Sequence, residues 1–563
     1  MLRKKNFMLI MIVGCLSSMI ITAQEALVSD TEHYYDFLAL QGLTTRSYLN
    51  YRTLSDSEWT IAEDAEHPWQ GLNLGGKKRR LFGDVTMRIY GPELFMSFNT
   101  AAPYGQNDGA LWQGRGFNTS LTGGIRFTGY GVELTFKPQL SFSQNWAFEY
   151  TTPNYSNTNP DYTGKAGVYG YYGIGGIDAP QRFGDQPFFT WDWGDSEVRY
   201  TWKTLTVGFG TEPIWLGPAQ LNPILHSNNA PSYPKLDIGL RRQRITIPKV
   251  NWYLGDIETR AWWGYLSESN YFDNNSDNNH NLITGFTIAY SFPGVLKGLS
   301  IGLNRIMLSK WDEMDAAAIF TLLWPFMDTS AGNDRNDQRA SVVIDYLLPI
   351  AGLDIYLEWA RNDFSPTLDH VIRYPFHTAG YTFGIKKTIP IRKMIKGEIL
   401  LELSSLESSR DYYDRATTFY AHHIISQGHT NGGQWLGAGM GTGGNSQYLG
   451  FKVYFSRGYG QIFLQRQNPD LDYAWYIDMN KDYSSLPGDK SNYVVEWNIR
   501  AFFDVGISGH YFITPNLAVS ASLIFRDEHN PLNLSPGATN PDIWDISTHQ
   551  FDFTAFAGVK YLF

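Results

Sequence analysis

The thirteen residues from Phe551 to Phe563, Phe-Asp-Phe-Thr-Ala-Phe-Ala-Gly-Val-Lys-Tyr-Leu-Phe, constrain the fold of this chain more than any other stretch. Side chains alternate along a strand with period two. Phe551, Phe553, Ala555, Ala557, Val559, Tyr561 and Phe563 therefore share one face. Asp552, Thr554, Gly558 and Lys560 share the other, with Phe556 and Leu562 as exceptions. An apolar face opposite a mostly polar one is what a strand between lipid and a wet lumen requires.

The same alternation recurs upstream. Leu353, Ile355, Leu357 and Trp359 oppose Asp354, Tyr356 and Glu358, and Leu517, Val519, Ala521, Leu523 and Phe525 oppose Ser520, Ser522 and Arg526. About eighteen such segments follow residue 83, an even number as single-chain bacterial barrels require. Their connections segregate by length. Those at 129–130, 202, 292–298, 349–351, 457–458 and 514–515 are short; those at 147–188, 212–235, 310–337, 405–446, 468–491 and 527–548 are long. With both chain ends in the periplasm, every long connection lands outside the cell. A soluble sandwich has no reason to sort its loops in this way. The expected fold is an all-β transmembrane barrel over 84–563, embedded in outer-membrane lipid. Phe563 with Tyr561 is also similar to the terminal signal read by the barrel assembly machinery, an expected partner.

The N-terminus differs. Arg3, Lys4 and Lys5 precede an apolar run from Phe7 to Ile21 and a cleavage site after Ala23, so residues 1–23 read as a signal peptide. A competing lipoprotein box, Ile12-Val13-Gly14-Cys15, is overrun by the apolar residues beyond it. Cys15 is the only cysteine, so the mature chain forms no disulfide and no thiolate metal site. Removing residues 1–23 takes away three basic groups and no acidic ones, leaving 42 basic against 55 acidic, which argues against nucleic acid. Residues 24–83 are expected to form a small periplasmic helical module. One helix carries Tyr34, Tyr35, Phe37, Leu38 and Leu40, and a second carries Tyr48, Leu49, Tyr51 and Leu54.

Aromatic residues make up 15% of the chain. Many fall in the long connections beside amides and carboxylates, an arrangement suited to sugars: rings stack on a pyranose face while polar groups bond its hydroxyls. The candidate carbohydrate-binding residues are Tyr155, Tyr162, Tyr171, Trp215, His226, Asn228, Asn229, Tyr412, Trp435, Tyr473 and Trp475. The connection from Trp215 to Pro231 is irregular and must satisfy its backbone locally. The apolar run from Asp315 to Met327 is expected to fold into the barrel mouth or against its wall.

Other chemistry is poorly supported. Asp273 to His280 is rich in oxygen ligands but lacks the glycine and terminal glutamate of a calcium loop. Gly194-Asp195-Ser196 sits where a strand is expected, and His226-Ser227 and His422-His423 are neighbours that point apart on an extended chain. Glu358, Glu398 and Glu402 are expected to pair across the lumen with Arg260, Arg339, Lys396, Arg526 and Lys560. No catalytic residue, metal or cofactor is expected.

Two stretches carry a family likeness: Asn107-Asp108-Gly109-Ala110-Leu111-Trp112-Gln113-Gly114-Arg115-Gly116, and the segment from Trp215 to Asp237 around Ser227-Asn228-Asn229-Ala230-Pro231. With Arg46-Ser47-Tyr48-Leu49-Asn50-Tyr51-Arg52 they resemble the capsule assembly Wzi family in its Bacteroidota form. That resemblance implies an eighteen-stranded outer-membrane barrel with a periplasmic helical bundle. It also implies a non-catalytic surface lectin that holds capsular or extracellular polysaccharide. The alternative from barrel size alone is a porin passing small solutes or oligosaccharides; an outer-membrane hydrolase ranks third.

Overall fold

The computed structural model describes residues 29–61, 65–75, 78–153, 160–320, 336–362, 368–408, 418–469, 471–472, 499–533 and 549–563. The expected signal peptide, with Cys15, lies outside them. Eighteen antiparallel staves close into one barrel. The first, Val85–Asn99, pairs with the last, His549–Tyr561, from Thr554 opposite Asn99 to Lys560 opposite Glu93, so the sheet has no free edge at its seam. The third stave is broken into Val132–Phe136 and Gln139–Ser143, with Pro138, which has no N–H to give the ladder, between them.

The last stave behaves as its alternation requires. Phe553 is 43% exposed between Asp552 and Thr554, each 2% exposed. Leu121, Phe189, Leu303, Ile462, Ile507 and Leu523 continue the same outward apolar belt on other staves, which only lipid can cover. Both exceptions have packing reasons. Phe556 meets Phe95 and Tyr104 on the inner side, with ring centroids 5.6 and 5.9 Å away. Leu562 joins Tyr34, Phe37, Leu38, Tyr454 and Phe512 in an apolar cluster at the short-turn end.

That cluster is where the N-terminal helix sits. It spans Asp30–Ala39 and is capped by Ser29, whose side chain accepts the Glu32 N–H at 3.2 Å. The second expected helix does not form. Residues 46–57 instead pass irregularly into the lumen, extended only at Tyr51–Arg52, which pairs with Trp215–Leu216, and turning at 54–56. The reason is a competing acceptor on the wall: the Glu258 carboxylate takes the N–H groups of Leu49, Asn50 and Tyr51 at 2.8, 3.0 and 2.7 Å. Arg46 anchors the entry, bonding Asp36 at 2.7 Å and the wall residues Asp345 and Asp354 at 2.7 and 2.5 Å.

A second segment, around Ile214 to Tyr233, descends from the outer side to meet the first. A third, within 418–444, folds over it. The second has too little regular structure to satisfy its own backbone, and the wall does so. Glu402 accepts from the N–H groups of Gln220, Asn222 and Leu221 at 2.7, 2.8 and 3.1 Å, and Glu358 from that of Ile224 at 2.8 Å. The expected pairing of these two carboxylates with lumen cations is thereby corrected. Arg260 pairs with Asp237, Arg339 with Asp337, Arg526 with Asp504 and Lys560 with Glu93 instead. Tyr51, Ile214, Leu216, Ile224, Leu225, Trp262, Tyr420 and Leu436 form an apolar core inside the lumen. The barrel is plugged.

The short helix Ala316–Phe320 lies against the wall rather than in the mouth: the outward-facing Trp263 indole donates to the Ile319 carbonyl at 2.9 Å. The rest of that apolar run lies outside the described residues.

Candidate functional site

Above the plug, at the long-loop end, the structure leaves an open cleft of about 260 Å³. Its floor is the plug, through Asn229 and the turn Gly439–Gly441. Its walls are the stretch Ala102–Gln113, the Tyr171–Tyr172 corner, Gln434 and Trp435, and the outer ends of staves carrying Gln467, Glu528 and Gln550.

The stretch after the first stave is fixed to the plug by polar side chains. Asn107, in a left-handed conformation (φ 60°) that asparagine tolerates, receives its backbone contact from Asn229: its N–H donates to Asn229 Oδ1 at 2.9 Å. Gly109 N–H donates to the Asn228 carbonyl at 2.9 Å, and Gln106 Nε2 to the Leu221 carbonyl at 2.8 Å. Gly437 permits the third segment to lie on the second, since a Cβ there would sit 2.0 Å from the Ile224 carbonyl oxygen.

Rings and polar atoms converge on the opening. Tyr171 stands edge-on to Trp435, with centroids 5.5 Å apart and planes at 86°, and against Tyr172 at 4.6 Å. Gln113 donates through Nε2 to Asp108 at 2.7 Å, which leaves its Oε1 without a partner among the described residues, although the residue is 4% exposed. Glu528, 1% exposed, accepts from Arg500 through one oxygen, and its Oε2 likewise has no such partner. The Trp112 indole N–H is a third group without a partner among the described residues. Buried polar atoms left unmet are costly, but these three are shut off from the open cleft; the part-exposed side chains of Asp108, Gln434 and Gln550 line it and offer partners to a ligand carrying hydroxyls. Burial pushes the Asp108 carboxyl up to about 7, against weaker opposing hydrogen bonds from Gln113 and the Gln106 backbone.

Of the residues chosen from sequence, Tyr171, Asn229 and Trp435 come together on this cleft. Asn228 contributes its carbonyl to the support. Tyr162 packs elsewhere, edge-on to Phe272 at 5.9 Å. Trp215 and His226 require correction, because both are interior to the plug. The Trp215 indole donates to the Ala219 carbonyl at 2.9 Å, and the His226 ring lies between the Ile214 carbonyl and the Tyr233 hydroxyl at 2.9 and 2.6 Å. Pairing of Arg52 with the Trp215 strand closes that surface to any ligand. Tyr155, Tyr412, Tyr473 and Trp475 lie outside the described residues.

Sequence reasoning missed Tyr104, Asp108, Trp112, Gln113, Arg500, Glu528 and Gln550. Four of these belong to or adjoin the 107–116 stretch quoted above for its family likeness; the others are inward residues at or beside stave ends, with no local signature. Other motifs are spent on structure. Ser227 Oγ donates to the Gly437 carbonyl at 2.6 Å, away from His226. Asp195 pairs with Lys137, and Asp273 accepts from Asn275 and Asn278 in its own turn.

Residues 123–511 match the family model described as capsule assembly protein Wzi. Among solved structures, the chain is similar to Wzi of Escherichia coli, described as an outer membrane protein involved in group 1 capsule assembly and a carbohydrate-binding β-barrel. The TM-score is 0.58 at 14% identity, over 96% of this chain and 99% of that one. It also matches OccAB4 of Acinetobacter baumannii at a TM-score of 0.38 and 7% identity, over 85% of this chain and 98% of that one. No curated protein sequence matches the chain.

Proposed function

The chain belongs to the capsule assembly protein Wzi family, and from that premise we propose that it holds polysaccharide at the cell surface, binding the polymer in the outer cleft without cleaving it. The observation that carries this reading is the conjunction of the Tyr171–Trp435 aromatic corner with the polar lining of one open cleft, Asp108, Gln434 and Gln550 among it. Rings supply apolar faces for sugar rings, and the polar side chains of the lining supply hydrogen-bond partners for hydroxyls. The plug beneath gives the polymer a floor and removes the aqueous path a porin needs. One cleft binds a short stretch weakly; many barrels along one polymer hold it firmly. The E. coli structure, described as carbohydrate-binding, supports the reading by analogy. Barrel assembly machinery and outer-membrane lipid belong to the same proposal, as does the periplasmic placement of the N-terminal helix.

Isothermal titration of the purified barrel with the surface polysaccharide of its own cells tests the proposal. Saturable binding is expected, with polymer length unchanged after incubation. Trp435→Ala should weaken binding about tenfold, equal to about 1.4 kcal/mol. A clean deletion that leaves surface polysaccharide unchanged, together with purified protein that retains no glycan, sinks the reading.

A further inference from the structure

Outside the cleft, on the opposite face of the same stave ends, three side chains converge for which neither the fold nor the proposed glycan site has a use. His529 and His549 are direct partners in the register of the last two staves. Asp527 lies two residues before His529 and so projects from the same outer face. Asp527 Oδ1 is 3.0 Å from His549 Nδ1, and Asp527 Oδ2 is 3.5 Å from His529 Nε2. The two imidazoles lie with centroids 4.2 Å apart at 57°, and one donor atom from each of the three residues falls within 4.8 Å of the others.

We propose that Asp527, His529 and His549 form a binding site for a divalent transition-metal ion of the zinc class, with a fourth position open to water. Zinc takes nitrogen and oxygen ligands at about 2.0–2.1 Å in tetrahedral array, which places neighbouring donors about 3.3 Å apart. The two carboxylate–imidazole separations, each made by a different oxygen of Asp527, lie on either side of that figure. The three side chains are 29–38% exposed, so no packed core holds them in their present rotamers. Two imidazoles with one carboxylate favour zinc, nickel or copper over magnesium and calcium, which prefer all-oxygen sets. The position is accessible: Phe525 and Phe551, ring centroids 5.7 Å apart, mark the upper part of the lipid-facing belt, and the cluster stands just above them.

The site bears on the cleft through strand alternation. Asp527 and His529 point outward on either side of the inward Glu528, and outward His549 precedes inward Gln550; both inward residues line the cleft. A bound ion would join the two stave ends across their outer face and hold that wall of the cleft in place. The metal site does not depend on the glycan reading, and its test does not use glycan.

Untagged barrel, purified in detergent and stripped with a chelator, is titrated with zinc chloride and separately with cobalt chloride. One zinc per chain is expected, with a micromolar or tighter Kd unaffected by excess magnesium. Cobalt should give the intense visible bands of a four-coordinate ion. His549→Ala should weaken zinc binding by more than about tenfold, and Asp527→Asn, which keeps both imidazoles, should weaken it less. Retention of the compact, heat-modifiable form on gels verifies that each variant is folded; His549→Gln replaces any that is not. No saturable zinc binding, or stoichiometric binding unchanged in the folded His529→Ala/His549→Ala variant, overturns the proposal and leaves Asp527 as a hydrogen-bond partner of His549 alone.

Discussion

The wall of this barrel and the plug inside it come from one chain built by two different rules. In the wall, each backbone group finds its partner on the neighbouring strand, so side chains need only alternate: apolar to lipid, polar to the lumen. In the plug the chain is irregular, and its amides are met by carboxylates projecting from the wall: Glu258 for residues 49–51, Glu402 for 220–222 and Glu358 for Ile224. The comparison gives the polar lumen face a second meaning. It is less a channel lining than the acceptor set for a protein core held inside the barrel.

Removing those acceptors should separate the two regions most clearly. Glu258→Ala with Glu402→Ala leaves six plug amides without charged acceptors, which costs about 3–5 kcal/mol of plug docking. Amide exchange at 49–51 and 220–222 should then accelerate about a hundredfold or more, while the flanking staves keep their protection. In planar bilayers the unaltered barrel should show negligible steady conductance, and the variant should open intermittently. Unchanged protection in both segments would mean that the wall does not hold the plug.

The opposite intervention disturbs the wall and spares the plug. Leu523 points to lipid near the middle of its stave and is 49% exposed. Leu523→Arg should lower barrel stability by about 2–4 kcal/mol in urea titrations in lipid bilayers, with plug exchange below the transition unaffected. A plug that loosened in step with the wall would show that the two are one cooperative unit.

How much was legible in the sequence follows from the same contrast. The staves were readable because period two is a local property of each segment, and Phe551–Phe563 announced lipid on one side by itself. The plug was not readable, because what keeps residues 48–54 from a helix is a carboxylate on Glu258, two hundred residues away in the chain. Trp215 and His226 looked like exposed loop residues for the same reason: an irregular polar segment reads alike whether it faces solvent or a wall that satisfies it. Tyr171, Asn229 and Trp435, which line the cleft, stood out because aromatic and amide residues in long outer connections carry a compositional signal. Glu528 and Gln550 were hidden by the alternation that revealed the barrel, being two more inward polar residues. His529 and His549 meet only through register, which no spacing rule in the sequence displays.

The smallest expected effect lies on the cleft, where plug and wall share one surface. The Asp108 carboxyl, raised to about 7 by burial, is largely protonated below that pH and ionised above it. A polymer lying over the cleft removes more water from Asp108 and raises its pKa further. Binding is then coupled to proton uptake, and affinity should rise as pH falls through 7. The sign is opposite to that of a carboxylate held ionised by a cation, where protonation on acidification would weaken the site. The expected change between about pH 8 and 6 is a few-fold, since each unit of difference between bound and free pKa is about 1.4 kcal/mol at most. Asp108→Asn keeps the shape and the neutral charge, so it should bind at pH 8 as the unaltered cleft does at pH 6 and flatten the profile. Titration of Asp108→Asn and the unaltered barrel against the same polysaccharide at both pH values decides it: parallel profiles would place the titrating group elsewhere, and stronger binding at pH 8 would reverse the proposed coupling.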